Sequence, residues 1–315
     1  MKKQINLDNN LLKPFVKWVG GKNQLLPNIQ TKYPLGLGKN INKYCEPFVG
    51  GGAVLFDILS NYNIKEILIN DINKELINTY KQIKTNVSKL IKNLSSIQNE
   101  YWNLNTEKQK HFYNEKRERF NYLKVTGNKT VNIEKATLFI FLNKTCFNGL
   151  FRVNSRGLFN VPKGSYKKPL ICDENNLKEI SKKMKQVTIT CGDYEQCLPF
   201  IDKNTFVYID PPYRPLSETA NFTSYSEKNF DDNEQYRLGK FIDKLNKIKA
   251  KVILSNSDPT NTNENDKFFD DMYKNYNIER ILAKRFINCD ATKRSDVREL
   301  LITNYKNRII KEVYK

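Results

Sequence analysis

A carboxylate, two prolines and an aromatic ring follow directly on one of the most apolar stretches of the chain, in FVYIDPPYRP at residues 206–215. Pro211 and Pro212 have fixed φ angles and no N–H, so the backbone is held extended and the carbonyl of Asp210 or Pro211 is left without a ladder partner. The turn therefore offers a carboxylate and a free carbonyl beside the flat ring of Tyr213. Two hydrogen-bond acceptors and a ring suit a planar group that carries an –NH2, such as a nucleobase.

The acceptors of this Pro-Pro turn could make the nitrogen of an aromatic amine nucleophilic. The lone pair of this nitrogen is delocalised, and acceptors that take its hydrogens as it becomes tetrahedral return electron density to it. Positioning and electrostatics would then carry the catalysis, without a metal and without a covalent enzyme intermediate. A purely structural Pro-Pro turn at the end of a strand is the alternative interpretation.

A glycine-rich turn, EPFVGGG at residues 46–52, is a second candidate for ligand binding. Glycines permit tight turning and close approach of the backbone to a ligand, although the stretch is neither G-x-G-x-x-G nor a phosphate-binding P-loop. Asp71 ends the next predicted strand, about 20 residues further on, where an acid accepts hydrogen bonds from ribose hydroxyls in dinucleotide-type folds. Together they predict a nucleoside ligand, while an N-cap for the helix near Asn73 is the structural alternative for Asp71.

Four acids fall at the ends of four predicted strands: Glu46, Asp71, Asp193 and Asp210. In an open parallel sheet the ligand crevice lies outside the carboxyl ends of the strands, so all four would face one crevice. Solvated turns explain this arrangement poorly, and we predict a functional site there.

The elements that must position these acids alternate along the chain. Short apolar stretches rich in Val and Ile are typical of strands buried on both faces of a parallel sheet. Helical patterns at 53–62, 73–94 and 232–248 lie between several of them, which favours a doubly wound α/β sheet, and the last two strands are close enough to form a hairpin. The predicted strands are 42–48, 65–71, 186–193, 205–212, 250–258, 278–287 and 298–305.

The interval between residues 94 and 186 has a different pattern. Two helical stretches, 106–125 and 132–147, precede an irregular basic stretch at 148–169, and none of this resembles a buried strand flanked by helices. We therefore predict an inserted, mainly helical module of residues 81–175 within a catalytic domain made of residues 1–80 and 176–315.

The amino-acid composition indicates which kinds of partner to expect. The chain has 315 residues and a formal net charge of +19, which makes nucleic acid the expected partner, although a composition rich in Lys, Asn and Ile could produce the same charge. Six cysteines without a C-x-x-C pair and a single histidine make a zinc site improbable, so no metal is predicted and the cysteines are interpreted as reduced cytosolic thiols. No apolar run is long enough to span a membrane and no signal peptide is evident, so we predict a cytoplasmic protein.

The ordered set of motifs resembles the Dam-like family of S-adenosylmethionine-dependent DNA adenine methyltransferases, the D12 class that acts on N6 of adenine. KWVGGK at 17–22, EPFVGGG, Asp71, GDYE at 192–195 and DPPY at 210–213 appear in the family's order over nearly the whole chain. The resemblance implies a Rossmann-like methyltransferase sheet with an inserted, mainly helical DNA-recognition domain. It also implies S-adenosylmethionine as cofactor, double-stranded DNA as partner, and a target adenine that leaves the duplex.

The resemblance also implies a role for each motif residue. Asp71 would take the ribose hydroxyls, Asp193 would bind the cofactor's adenine, and Trp18 and Lys22 would lie near its methionine and sulfonium end. Glu46 stands where many family members have Asp, which puts its cofactor contact in doubt. The implied cofactor set is Trp18, Lys22, Glu46, Phe48, Gly50, Gly52, Asp71, Asp193 and Asp210, and the implied catalytic set is Asp210, Pro211, Pro212 and Tyr213.

The stretch at 143–169 resembles the family's recognition hairpin and mixes Arg, Lys, Asn and Phe with glycines, as a loop that contacts a DNA groove requires. Arg152 is the best candidate for a bidentate contact to guanine, and solvated surface side chains are the alternative for each basic residue. The resemblance suggests the palindrome GATC. The implied DNA-binding residues are Lys17, Asn148, Leu150, Arg152, Arg156, Pro162 and Tyr166.

Two other functions stay open at this level. One is methyl transfer to another planar amine, in cytosine, RNA adenine or a glutamine side chain; the acid in the first position of DPPY favours adenine. The other is a catalytically inactive DNA-binding module, which the intact acids and glycine turn oppose. A cognate restriction endonuclease is a further expected partner, without a stable complex.

Overall fold

A seven-stranded sheet organises the computed structural model, which describes residues 12–18, 20–126, 132–214, 230–284 and 296–306. The strand order is β3-β2-β1-β4-β5-β7-β6. The first five strands in chain order pair in parallel, and β7 pairs antiparallel with both β5 and β6. The strands are β1 Lys43–Glu46, β2 Glu66–Asp71, β3 Val187–Cys191, β4 Thr205–Ile209, β5 Lys251–Ser257, β6 Asn277–Lys284 and β7 Asp296–Thr303.

These strands agree with the sequence prediction of a doubly wound α/β sheet that ends in a hairpin. Every predicted strand is present, and the chain reverses at the sheet centre, because β2 and β3 lie on one side of β1 while β4 and β5 lie on the other. This reversal is the switch point at which an open α/β sheet forms its ligand crevice. The helices are α1 Leu26–Gln30, α2 Ala53–Asn61, α3 Lys74–Trp102, α4 Thr106–Thr126, α5 Ile133–Thr145, α6 Glu174–Lys183, α7 Asp232–Lys247 and α8 Phe268–Met272.

Alternate residues of each central strand enter opposite layers of the core. Tyr44 and Phe206 pack with α2, α3 and the helices that follow, whereas their neighbours Cys45 and Val207 pack with α7, α8 and residues 194–201. All four side chains are fully buried. Burial of both faces explains why the strands are continuous apolar runs rather than alternating patterns.

The segment between β2 and β3 holds four helices, α3 to α6, and the basic stretch. Its apolar side chains belong to the same buried cluster as one face of the sheet. Both boundaries of the predicted module, 80/81 and 175/176, fall inside helices, since α3 runs from Lys74 and α6 from Glu174. The division into two domains stays a prediction.

Among the described residues, no helix is both long enough and apolar enough to cross a membrane.

Candidate active site

The carboxyl ends of β1, β2, β3 and β4 lie side by side, because these four strands pair in parallel at the centre of the sheet. Glu46 and Asp71 are the last residues of their strands, Asp193 follows β3 by two residues, and Asp210 follows β4 directly. The sequence prediction that four acids meet at one edge of the sheet is therefore confirmed for their backbone positions.

The glycine turn after β1 is fastened to Asp71. The backbone N–H of Gly50 donates to one carboxylate oxygen of Asp71 at 3.0 Å, and the N–H of Asn73 donates to the other at 2.9 Å. Gly50 and Gly52 both have φ in the left-handed region, +46° and +76°, and a Cβ on Gly52 would lie 2.5 Å from the Tyr80 hydroxyl. Glycine is thus required by conformation and by space.

Asp71 does not cap α3. The N-cap is Asn73, whose side chain accepts from the N–H of Leu76 at 2.9 Å. Burial raises the pKa of the Asp71 carboxyl, and the backbone N–H groups of Asn73 and Gly50 oppose this rise. Both carboxylate oxygens accept backbone bonds, and because a carboxylate has about four lone-pair sites, capacity remains for a ligand hydroxyl.

Asn70 of β2 holds the loops after β1 and after β3 together, a role that the sequence analysis missed. Its side-chain amide donates to the carbonyls of Pro47 at 3.1 Å and Gly192 at 2.9 Å, and its oxygen accepts from Thr190 at 3.0 Å and from Gln196. The residue is completely buried. The available signal was an amide in an otherwise apolar strand, in KEILIND, since such a group needs partners.

Asp193 lies at the exposed outer edge of the crevice. Its carboxylate forms an ion pair with Arg237 of α7 and accepts the N–H of Glu195 at 2.9 Å. The neighbouring Tyr194 packs on Phe48 with ring centroids 5.2 Å apart, and its buried hydroxyl has no partner among the described residues. Two aromatic rings and a carboxylate suit a heteroaromatic ligand.

Glu46 is enclosed rather than open to the crevice. It is 2% exposed, and its carboxylate accepts the Tyr44 hydroxyl at 2.7 Å. Burial raises the pKa of the Glu46 carboxyl well above its usual range, the Tyr44 bond opposes this, and the charges of Asp210 and Asp71 add to it. Direct contact with a cofactor would require the side chain to move, and that contact stays a prediction.

Asp210 is bound through one oxygen. Lys22 Nζ lies 3.1 Å from Oδ1, and the Ser255 hydroxyl donates to the same atom at 3.4 Å. Within the described part of the chain, Oδ2 has no hydrogen-bond partner. Burial raises the pKa of the Asp210 carboxyl to about 6, against the opposing effect of Lys22, and the charge of Glu299 adds to the rise.

The Pro-Pro turn is supported from α7 and from β7. Gln235, which is fully buried, donates to the Pro212 carbonyl at 3.3 Å. The Tyr213 hydroxyl donates to Glu299 at 2.6 Å. Burial, with the charges of Asp210 and Glu299, raises the pKa of Tyr213 well above its usual range, so the phenol stays protonated and donates.

Sequence reasoning missed this supporting set. The signals were polar residues inside apolar strands, in AKVILSNSD and RELLITNY, where a buried or half-buried polar group demands a partner. Asn256 belongs to this set because its side chain donates to the Gln235 side chain at 3.2 Å. The other missed residues of the strand ends are Asn70, Gln235, Arg237, Ser255 and Glu299, and Asn143 is missed at the basic loop.

The segment before α1 connects the glycine turn to the basic hairpin. A Cβ on Gly50 would lie 2.9 Å from Trp18, and the Trp18 ring stacks on Phe151 at 5.9 Å. Lys22 Nζ points to Asp210 and also lies 4.7 Å from the centre of the Tyr213 ring. The predicted contacts of Trp18 and Lys22 with a cofactor stay predictions.

Residues 146–163 form an antiparallel loop. Isolated bridges join Cys146 with Lys163 and Val153 with Phe159, and the N–H of Asn154 donates to the Leu158 carbonyl at 2.9 Å. A hairpin-like shape agrees with the resemblance. Asn154, Ser155 and Arg156 at its tip are exposed.

The predicted DNA-binding side chains lie on or beside this loop. Arg152 is exposed, and its Nε donates to the Asn160 side chain at 2.9 Å, which fixes the direction of the guanidinium. Lys17 Nζ lies 4.1 Å from the centre of the Tyr166 ring. Arg156 and Pro162 are exposed, as is Asn148 with φ of +53°, while Leu150 is half-buried.

Asn143 fastens Lys17 to this loop. Its side chain accepts the Lys17 N–H and donates to the Lys17 carbonyl, both at 2.8 Å, and also donates to the Gly149 carbonyl at 2.9 Å. The resemblance implied that Lys17 is one of the DNA-binding residues, although it precedes the loop by more than a hundred residues in sequence. The structure brings its backbone to the start of the loop.

The described residues contain no group of three or more His, Cys, Asp or Glu side chains that could hold a metal ion.

Comparison with known proteins gives one family over most of the chain. The sequence model of the family of D12 class N6 adenine-specific DNA methyltransferases matches residues 18–287. The type II methyltransferase M.MjaIII of Methanocaldococcus jannaschii is 50% identical over 93% of this chain and 99% of its own length. The type II methyltransferase M1.LlaDCHI of Lactococcus lactis is 37% identical over 94% and 96%, and a DNA adenine methylase of Haemophilus influenzae is 32% identical over 92% of both chains.

Proposed function

Because the chain belongs to the family of D12 class N6 adenine-specific DNA methyltransferases, we propose that it methylates an adenine flipped out of duplex DNA within the sequence GATC. We propose S-adenosylmethionine as the methyl donor. The observation that carries the proposal is the half-engaged carboxylate of Asp210 at the end of β4, beside a turn without backbone donors.

Asp210 is arranged to accept a hydrogen from the target amine. Lys22 and Ser255 hold Oδ1, so the carboxylate has a fixed direction while Oδ2 keeps its lone pairs. Pro211 adds a backbone carbonyl from a turn that Gln235 holds through the next carbonyl. As the nitrogen becomes tetrahedral, these two acceptors strengthen their bonds, and stabilisation that grows toward the transition state is what raises the rate.

The residues at the other strand ends fit the cofactor. S-adenosylmethionine supplies a methyl group on a positively charged sulfur, and the carboxylates of Asp71 and Asp210 make the crevice favourable for a cation. Asp71 has lone pairs for ribose hydroxyls, and the positive-φ glycines let the backbone approach closely. Phe48, Tyr194 and Asp193 form an aromatic and polar edge suited to an adenine ring.

The target base must leave the duplex to reach Asp210. Glu299 holds the Tyr213 phenol, and Lys22 lies over the ring, so the ring has a fixed plane on which a base can stack. Stacking on an aromatic ring contributes about 1–3 kcal/mol per base in proteins that bind single strands.

We assign recognition of GATC to the loop at 146–163. Arg152 has a guanidinium held by Asn160 and exposed to solvent, the geometry needed for a bidentate contact to O6 and N7 of guanine. Leu150 and Pro162 are assigned to a thymine methyl group. Lys17, Asn148, Arg156 and Tyr166 are assigned to phosphates or flanking bases, with the net charge of +19 supplying long-range attraction.

The biological setting belongs to the same proposal. Two relatives carry the name type II methyltransferase, which favours a role beside a cognate restriction endonuclease that meets the same DNA site without a stable complex. A cytoplasmic location follows from duplex DNA as the substrate.

The test is methyl transfer from labelled S-adenosylmethionine to duplexes that contain GATC or a singly substituted site. Label is expected in adenine of the GATC duplex, and nucleases that differ in their sensitivity to methylated GATC should then distinguish the product. Label in cytosine, or transfer without preference for GATC, would contradict the corresponding part of the proposal.

The variant that tests the role of Asp210 is Asp210→Asn, which keeps the shape of the side chain and removes its charge. We expect the single-turnover rate to fall at least 100-fold, equivalent to about 2.7 kcal/mol of barrier. Cofactor affinity should stay within about threefold, roughly 0.6 kcal/mol, by equilibrium binding, because Asp210 is assigned mainly to the target amine. A variant that kept a tenth of the wild-type rate would remove Asp210 from its assigned role.

A further inference from the structure

We propose that Glu299 of β7 is a positioning residue for methyl transfer, which holds the Tyr213 ring and the Lys22 ammonium against Asp210. The inference rests on the proposed function, because Asp210 and Tyr213 are its assigned contacts with the target base. Glu299 comes from the antiparallel end of the sheet, outside the strand-end acids that define the crevice.

The fold brings Glu299 to this place through strand pairing. β7 runs antiparallel to β5, and Glu299 is the partner of Ser257 in that register, at the carboxyl end of β5. Ser255, two residues earlier on β5, contacts Asp210. An acid on β7 is therefore delivered to the edge at which the parallel strands end.

Its first contact fixes the plane of the base-stacking ring. The Tyr213 hydroxyl donates to Oε2 of Glu299 at 2.6 Å, a short bond of the kind formed between a hydroxyl and a carboxylate. Tyr213 follows two prolines that have no N–H, so the backbone on that side supplies no donors to hold the turn. The phenol bond is a tether at the far end of the ring.

Its second contact concerns the charge of Lys22. The ammonium is 3% exposed and lies 3.1 Å from Asp210 and 3.9 Å from the same Oε2 of Glu299. Removing one partner of a buried charge is costly, so Glu299 is a second counter-charge that holds the Lys22 ammonium beside Asp210. Lys22 in turn fixes Oδ1 of Asp210 and covers the Tyr213 ring at 4.7 Å.

Glu299 also acts on Asp210 through space. The charged or titratable groups facing Asp210 are Lys22 before α1, Glu46 on β1, Tyr208 on β4, Tyr213 in the turn and Glu299 on β7. The negative charge of Glu299 raises the pKa of Asp210, whereas that of Lys22 lowers it. Because transfer needs the Asp210 carboxylate, removing the charge of Glu299 should let the enzyme work at lower pH.

Two substitutions separate the tether from the charge. Glu299→Gln keeps an acceptor oxygen for the Tyr213 phenol and removes the charge, so the acid limb of the single-turnover rate should move to lower pH by about half a unit or more. Tyr213→Phe removes the phenol bond and keeps the charge, so the rate should fall about tenfold at every pH with an unchanged acid limb. Glu279→Gln is the control, since Glu279 lies on the adjacent strand β6 and pairs with Lys32.

The outcomes separate this inference from the proposed function. Wild-type protein that methylates no DNA adenine would overturn the proposed function, whatever the variants do. Active wild type together with an acid limb of Glu299→Gln at or above that of wild type would overturn the role of the charge. A Tyr213→Phe rate equal to that of wild type would overturn the tether, and a loss of cofactor affinity in Glu299→Gln beyond about threefold, roughly 0.6 kcal/mol, would place its effect elsewhere.

Discussion

Lys22 brings one positive charge into a site that contains the carboxylates of Asp210 and Glu299. The charge of Asp210 also contributes to the raised pKa of the neighbouring Glu46 carboxyl. Lys22 Nζ also donates to the Gly20 carbonyl at 2.7 Å, which fixes the ammonium on both sides. The ammonium thus decides how much of Asp210 is ionised at a given pH. It also decides which carboxylate oxygen remains for the target amine.

Replacing Lys22 with Met should make the enzyme more sensitive to acid. The pKa of Asp210 is raised to about 6 with Lys22 lowering it, so removal of the ammonium raises the pKa further and moves the acid limb of methyl transfer above pH 6. This direction is opposite to that expected for Glu299→Gln. The measurement is the single-turnover rate between pH 5 and pH 9.

The control for this prediction is Lys178→Met, because Lys178 is an exposed residue of α6 with an i,i+4 partner on the same helix. Its profile should match that of wild type. An acid limb of Lys22→Met that stays near pH 6 would show that another group controls the ionisation of Asp210.

At this scale the sequence was informative about acids and uninformative about their partners. Asp71 and Asp210 were predictable because each ends a mostly apolar run. An acid at the end of a buried strand has to be paired with another group or to bind a ligand. Glu299 and Asn70 were not, because each acts across the sheet on a residue distant in sequence. The sequence assigned Lys22 to the cofactor through resemblance, whereas its contact with Asp210 depends on how the segment before α1 folds back.

At the scale of secondary structure, the side-chain amide of Asn70 holds the carboxyl ends of β1, β2 and β3 together. Asn70 of β2 joins the loop after β1, through Pro47, to the loop after β3, through Gly192. The glycine turn is anchored on the same strand, because the Val49 N–H donates to the Asn70 carbonyl at 2.9 Å. The geometry of the proposed cofactor site therefore depends on a residue that need not contact the cofactor.

Asn70→Ala should lower both stability and cofactor affinity. The buried Pro47 carbonyl and the half-buried Gly192 carbonyl would lose their donors. An unsatisfied buried group costs about 1–3 kcal/mol and a half-buried one less, so we expect the free energy of unfolding to fall by about 2–4 kcal/mol. We expect cofactor affinity to fall about tenfold, or about 1.4 kcal/mol, because the glycine turn and the Asp193 loop lose their link. Urea unfolding and equilibrium binding measure the two effects.

Thr190→Val is the matched control, since it removes only the hydroxyl that donates to Asn70 at 3.0 Å. Its effect should be smaller on both quantities. Cofactor affinity of Asn70→Ala equal to that of wild type would show that the loops keep their geometry without the amide.

The basic loop at 146–163 is the second element whose role can be measured. Arg152→Ala should reduce discrimination at one guanine of the site, because a bidentate arginine contact discriminates by about 1–3 kcal/mol. The measurement compares turnover per affinity on GATC and on singly substituted sites, for wild type and variant, at two salt concentrations.

The salt dependence identifies the alternative. If Arg152 contacts a phosphate, affinity should fall for all sequences and the salt slope should become shallower. Arg156→Ala is the comparison, because Arg156 is exposed on the same loop and its contact given by the structure is a backbone bond to Asn154. Relaxed preference in Arg156→Ala instead would transfer the assignment to that residue.

The strands and most helices were predictable because their apolar periods differ, with period two or continuous runs in the sheet and period 3.6 outside it. The extent of α3 was not, since the predicted helix at 73–94 continues to Trp102 and contains a non-helical residue, Asn86. Tertiary packing on α5 and α6 maintains the helix past that point. The short helices α1 and α8, five residues each, carry too little periodicity to be predicted.

At the scale of the whole molecule, one buried cluster joins the sheet to the helices between β2 and β3. Trp18 lies at the junction, because it packs on Phe151 of the basic loop and on Phe139 of α5 at 6.4 Å, as well as on the glycine turn. The Trp18 side chain thus contacts both the proposed cofactor site and the proposed DNA-contacting loop. Because the helices between β2 and β3 share their core with the sheet, the predicted module at 81–175 should not move as an independent body.

Thermal unfolding tests this interpretation, because the chain has two tryptophans, both within this shared region. Trp18 reports the junction, and Trp102 at the end of α3 donates its indole N–H to the Pro169 carbonyl at 3.0 Å. We expect tryptophan fluorescence and far-ultraviolet circular dichroism to give one coincident transition, as a single cooperative unit requires. Trp102→Phe leaves Trp18 as the sole probe and should give the same midpoint shift by both methods. A dichroism transition in two steps, with the first step coincident with the fluorescence change, would instead show that residues 81–175 unfold first, because that segment contains most of α3 and all of α4 and α5.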